Sequence, residues 1–214
     1  MTRIARRAWL GLLANGVLAS SLLARPRSSH AADFTLVSEP IAALNAGLIQ
    51  IMKAGAKMPF VTRFGMLAPI VEHAFDVPGI LRVSVGQAWA GMAEPERADL
   101  LTVFRQFTIA SYVANFDDFG GERFELLPDL RAVGADQVVA TRLVPSSGAP
   151  TRLDYVMRQM ESGWQAVDVL LDGTISRVAV QRSDFRSLLA QGGALALIAS
   201  LKKKVQDLSG GALN

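Results

Sequence analysis

The residue types that usually carry chemistry are scarce in this chain. There is no cysteine, and the two histidines are His30 and His73. One late histidine without thiols cannot supply a zinc site of the usual kinds. A Ser-His-Asp arrangement would have to recruit His73, which stands next to Glu72 and three residues before Asp76. A solvated helix histidine is the commoner role for such a residue. Asp168 and Asp172 are spaced for paired acid–base work, with Asp168 or His73 as general base if the protein were an enzyme. They close a strand beside a turn, where carboxylates more often accept from backbone N–H groups. Asp154 is placed to pair with Arg142 or Arg152. Gly192-Gly193 lacks the following Lys-Ser/Thr of a phosphate loop. Lys202, Lys203 and Lys204 form a cationic run able to meet anionic head groups, although such runs usually end a solvated helix. Neither a metal nor a cofactor is expected.

The N-terminus carries its own message. Arg3, Arg6 and Arg7 precede an uncharged apolar stretch from Trp9 to Ala24, and Ser29-His30-Ala31 offers a small-x-small cleavage site. Residues 1–31 are therefore expected to be an export signal and 32–214 a single domain. Arg6-Arg7 before Trp9-Leu10 also resembles a twin-arginine signal. The apolar run is short for a permanent anchor, and no later stretch is expected to span a bilayer. The whole chain has a net charge of +3, but residues 1–31 hold five arginines and no acid. The rest has 17 basic residues against 19 acidic, a net charge of −2. That balance excludes the basic face that nucleic-acid binding requires. Half of the residues are apolar, enough for a sizeable core.

The elements follow from periodicity. Val37, Ile41, Leu44, Leu48 and Ile51 predict a helix with Ser38 as N-cap and Pro40 in its first turn. Phe60, Phe64, Leu67, Val71 and Phe75 predict a second helix, bent or restarted at Pro69, with a break over 76–79. Short helical pieces are expected around Trp89. A long helix then starts at Pro95 and carries Leu100, Phe104, Phe107 and Ser111 on one face. After Gly121 the period changes to two. A short strand over 123–127 and longer strands over 137–144, 151–160 and 164–171 predict an antiparallel meander. Ser183 is expected to cap a helix that stops at Gly192, and a final amphipathic helix follows. The fold class is α+β, with a twisted antiparallel sheet packed on several helices.

The large apolar side chains exceed what a sheet this size needs. They either fill an ordinary core or line a cavity, and sequence does not separate the two. A set of ordered motifs adds to this reading. Phe75-Asp76-Val77-Pro78, Gly86-Gln87-Ala88-Trp89 and Glu94-Pro95-Glu96-Arg97 come first. Phe104-Arg105-Gln106-Phe107, Ser111-Tyr112-Val113-Ala114 and Gly121-Glu122-Arg123-Phe124 follow. Asp154-Tyr155-Val156-Met157, Gly163-Trp164-Gln165-Ala166-Val167-Asp168-Val169 and Arg182-Ser183-Asp184-Phe185 complete the order. Together they resemble the MlaC-like, toluene-tolerance family of periplasmic lipid-binding proteins over about residues 34–208. The Phe64–Phe75 region, with Leu67-Ala68-Pro69-Ile70, resembles the hopanoid-associated subgroup, HpnM. Glu94 stands where Thr or Ser would be expected before Pro95, and Asp172-Gly173-Thr174-Ile175 replaces a stretch of Glu-Gly-Val/Ile-Ser type.

The resemblance implies one α+β domain enclosing an apolar pocket for a hopanoid or a phospholipid. It also implies a monomeric, non-enzymatic carrier between an inner-membrane lipid transporter and an outer-membrane acceptor. A filled-core adaptor protein and an enzyme acting on a polycyclic lipid are the competing readings. The expected lining comes from Phe75, Trp89, Phe104, Phe107 and Tyr112 on the helices. From the strands it takes Val139, Thr141, Tyr155, Met157, Val167 and Val169, a set that depends on parity because a one-residue slip turns the other set inward.

Overall fold

The structure, a computed structural model, describes residues 28–213. The export signal expected over 1–31 therefore lies, up to residue 27, outside the described residues. Helix α1 runs Ser28–Ala54 and continues into a 3-10 turn at Gly55–Lys57. Ser38 and Pro40 are thus interior and buried, not cap and first turn. Helix α2, Phe60–Ala74, likewise passes through Pro69 without a break. A proline removes one helical hydrogen bond and crowds the preceding turn, at about 3 kcal/mol. Both helices offset that by burying a continuous apolar face: Ile41, Leu44, Leu48 and Ile51 on α1, Leu67 and Val71 on α2. Asp33–Lys57 is long and apolar enough to cross a membrane, which the sequence reading did not expect. Half of its most apolar window is buried in the protein core.

The expected break at 76–79 is a helix start. Asp76 caps α3, Val77–Val85, by accepting from the Gly79 N–H at 2.9 Å. Helices α4, Ala88–Gly91, and α5, Glu94–Asn115, follow. The residue preceding α5 is Ala93, whose N–H donates to the Glu96 carboxylate at 2.9 Å, so Glu94 is the first helical residue and not the cap.

Strands β1 (Arg123–Val133), β2 (Asp136–Val144), β3 (Thr151–Met160), β4 (Gly163–Leu171) and the short β5 (Ile175–Ser176) form one antiparallel meander in chain order. Strand β1 is longer than expected because its register shifts between Leu126 and Leu130, which absorbs Pro128 at a sheet edge. The inner face meets α1, α2, α3 and α6. On the outer face Val138 and Asp154 are also buried, among Arg131, Arg152 and Arg158. Arg152 grips Asp154 at 2.8 and 3.0 Å, Arg131 reaches it at 3.8 Å, and Arg158 holds Asp136. Asp154 therefore pairs chiefly with Arg152 of its own strand, while Arg142 goes to Glu125 at 3.4 Å.

The helices are fastened to the sheet at one corner. Phe75 forms a parallel bridge to Ala166, and the Asp76 N–H donates to the Ala166 carbonyl at 3.1 Å. The Gln165 amide also donates to the Glu72 and His73 carbonyls. Arg63 is an unexpected core residue. It is buried beside Phe60 and donates to the Met58 and Val113 carbonyls.

The last helix, α6 (Arg177–Ser209), starts well before Ser183 and is capped by Ser176, whose hydroxyl accepts from the Ala179 N–H at 2.9 Å. It kinks at Gly192-Gly193, the expected stop, where Gly193 adopts φ 64° and ψ −153°. An L side chain is strained there, so Gly193→Ala is expected to lower stability by about 1–3 kcal/mol in urea unfolding. An unchanged midpoint would show that the kink is not required.

Candidate functional site

Helix α5 crosses the sheet at a distance that leaves space between itself, α3, both parts of α6 and the inner side of β3 and β4. The space is a cavity of about 500 Å³. That lies within the range of small-molecule sites. Its walls are largely aromatic. Phe104 meets Phe185 edge-on at 6.1 Å between centroids and lies 6.5 Å from Phe107. Phe75 touches Tyr112 and Tyr155, and Tyr112 stacks on Phe116. These rings come from one side of α5 and its C-cap (Phe104, Phe107, Tyr112 and Phe116), from Phe185 on α6, from the corner at Phe75, and from Tyr155 in the middle of β3. Asn115, Asp184, Arg177 and Lys204 supply polar groups around this apolar interior and are solvent-exposed. Lys204 sits with Nζ 5.6 Å from the Phe107 ring centroid.

Six of the residues selected from the sequence meet around this cavity: Phe75, Phe104, Phe107, Tyr112, Tyr155 and Val169. The other five do not border it. Trp89 packs at α4 with the Arg97 guanidinium over its ring at 5.7 Å, and Arg97 also donates to its carbonyl. Val139 and Met157 are fully buried in the filled part of the core. Thr141 is buried as well, its hydroxyl donating to the Leu153 carbonyl at 3.0 Å. Strict alternation predicts Val167 inward, and that parity fails at a bulge. Met157 pairs with Ala166 and Val156 with Asp168, so Val167 is the extra residue and Ala166 takes the inner position. Beyond the bulge Val169, opposite Tyr155, is inward again.

Leu153, Phe116, Phe185 and Val178 also line the cavity and were not selected. Leu153 was legible, since it lies two residues before Tyr155 on the same strand face. Phe185 closes the motif Arg182-Ser183-Asp184-Phe185. Val178 carried no signal, because the helix around it begins earlier than its pattern suggested. A second cavity of about 740 Å³, between the start of α1 and β1, has a more mixed lining that includes Asp33, Asp129 and Gln159 beside Phe34 and Trp164.

Of the candidates for acid–base chemistry, Asp168 has a structural duty. Asp168 accepts from the Val169 and Val178 N–H groups at 2.7 and 3.1 Å and from the Ser176 hydroxyl. It thereby joins β4 to the cap of α6. His73 is exposed and lies 3.2 Å from Glu39. Lys203 pairs with Asp207 one turn on, at 2.7 Å.

The model of the MlaC protein family matches residues 43–203, three quarters of the chain. The chain belongs to the MlaC family. Among solved structures, this MlaC-family chain is similar to the phospholipid-binding protein from Ralstonia solanacearum, determined in complex with a phospholipid. The two share 17% identity with a TM-score of 0.69, over 81% of this chain and 98% of that one. A comparison with curated proteins returned no match. The match to the Ralstonia protein is one of fold, and it extends over α+β elements in the arrangement described above.

Because Asp168 binds three donors, Asp168→Ala is expected to destabilise the MlaC domain by about 2–4 kcal/mol through the β4–α6 junction. Denaturant titration checks this, and a loss under 0.5 kcal/mol would contradict the structural duty assigned to Asp168.

Proposed function

We propose that this chain is a periplasmic lipid carrier that holds its cargo in the cavity between α5, α6 and strands β3 and β4. The observation that carries the reading is the ring of aromatic and aliphatic side chains around about 500 Å³ of space in a chain of the MlaC family. A lipid in water exposes several hundred Å² of apolar surface. Its transfer into such a cavity is worth on the order of 10 kcal/mol, at about 25 cal/mol per Å², before ordering costs. Binding of this kind needs shape and apolar area, and it needs no catalytic group.

Two cargoes fit the reading. The Ralstonia relative in fold supports a phospholipid. The Phe64–Phe75 stretch, with Leu67-Ala68-Pro69-Ile70, supports a hopanoid. In this reading residues 1–31 direct export, and the monomeric mature domain receives lipid from an inner-membrane transporter and passes it to an outer-membrane acceptor, or the reverse. The exposed Lys204, beside Phe107 and bordering the cavity, is placed to meet an anionic head group outside the apolar walls.

Native mass spectrometry of the protein purified from its own periplasm, with lipid extraction, is expected to show one bound lipid and identify it. Phe107→Asp or Val169→Glu puts a charge against the cavity and should abolish that adduct. His73→Ala, on the exposed side of α2, should retain it. A wild-type protein that is free of lipid and takes up neither class when challenged would overturn the carrier reading in favour of an adaptor. Folded cavity variants that keep their lipid would move the site elsewhere.

A further inference from the structure

Two tyrosines that line the apolar cavity carry hydroxyls that no hydrogen bond among the described residues uses. Tyr155 is 2% exposed in the middle of β3, and Tyr112 faces the same space from α5. Both lie against the Phe75 ring, at 6.2 and 5.7 Å between centroids. Neither phenol oxygen has a hydrogen-bond partner among the described residues, and neither is sealed off as Asn45 Oδ1 is. The other hydroxyls bordering the cavity from α5 are already committed. Thr108 donates to the Phe104 carbonyl at 2.9 Å and Ser111 to the Phe107 carbonyl at 2.7 Å. Burial pushes both phenols above their ordinary range. For Tyr112 the nearby Tyr155 adds to this, and Arg177 opposes it. Both therefore remain protonated donors at neutral pH.

Phenylalanine at either position would line the cavity as well and leave no oxygen unpaired in apolar surroundings, where an unpaired hydroxyl is costly. The oxygens are explained by a partner that arrives with the cargo. We propose that Tyr112 and Tyr155 form a hydrogen-bonding subsite for a hydroxyl group carried on the buried part of the lipid. This rests on the carrier reading and narrows its cargo. A lipid hydroxyl can accept from one phenol and donate to the other, whereas the end of a saturated hydrocarbon chain offers neither interaction. The hydroxyl can belong to a polycyclic alcohol or to a hydroxylated chain.

The test is displacement of a pyrene-labelled fatty acid from the protein by two matched pairs delivered from cyclodextrin: cholestanol against cholestane, and hexadecanol against hexadecane. The wild-type protein is expected to favour the alcohol of at least one pair by about tenfold, the effect of one or two hydrogen bonds. In the double variant Tyr112→Phe/Tyr155→Phe the ratio should fall to near one. A preference confined to the ring pair assigns the hydroxyl to a polycyclic cargo, and one confined to the chain pair assigns it to a hydroxylated chain. Equal displacement by alcohol and hydrocarbon in the wild type overturns the subsite and leaves the carrier reading standing. That ratio is read on the unaltered protein and does not depend on how the variant folds. A preference that survives in the double variant also overturns it. Failure to bind the labelled fatty acid or any of the four competitors overturns both.

Discussion

The contact on which the architecture depends is the backbone junction between the α2–α3 corner and Ala166. Helices usually pack on sheets through side chains, which keeps the two backbones about 10 Å apart. Here Phe75 and Asp76 bind the strand itself. The approach is possible because position 166 is alanine and because the bulge at Val167 sends the next large side chain away. Once the corner is fixed, Asp76 starts α3, and Phe75 is set between Tyr112 and Tyr155. The aliphatic core of α1, α2 and β2 packs on one side of this junction. The aromatic cavity opens on the other.

That arrangement accounts for the division of the apolar residues into two classes. Those of α1 and α2 interdigitate at close packing, as protein interiors do. The rings of α5, with Val178 and Phe185 of α6, stand around a space of about 500 Å³, while Leu100, Val103, Leu197 and Leu201 of the same helices join the close-packed core. Rings are suited to such a wall. They have few torsions, and the chain of contacts from Phe185 through Phe104 to Phe107 braces each against its neighbour. The Asp168 cluster belongs to the same frame, because it fixes the start of α6 to the end of β4 and so holds the far wall in position.

Much of this was legible in the sequence. The strands of the meander and the face of α5 follow from periods of two and of 3.6 residues, and the family that the motifs resemble is the one whose model matches residues 43–203. The misplacements have physical causes. Pro40 and Pro69 read as boundaries because local cost is visible in sequence and the tertiary burial that outweighs it is not. Val167 read as inward because a bulge leaves no mark in an apolar strand. Val139, Thr141 and Met157 do face the helices, as expected from alternation. Their distance from the cavity depends on where α5 crosses the sheet, which no pattern within a strand encodes. Arg63 was passed over because a cation at a buried helix position becomes intelligible only once the Met58 and Val113 carbonyls are seen to receive it.

The outer face of the sheet carries a consequence for how such a protein can change. Tyr155 and Met157 point to the helices, while Asp154 and Val156 point to the arginine-clad side. Cavity shape and exterior charge are thus spelled by alternate letters of the same strands. Substitutions can rewrite either message alone, so the external surface can drift to suit a new environment while the pocket stays constant. An insertion of one residue would exchange the two messages along the strand from that point on unless a bulge absorbs it, as the one at Val167 does in β4. Such strands are open to revision letter by letter, and to a shift of frame only through a bulge.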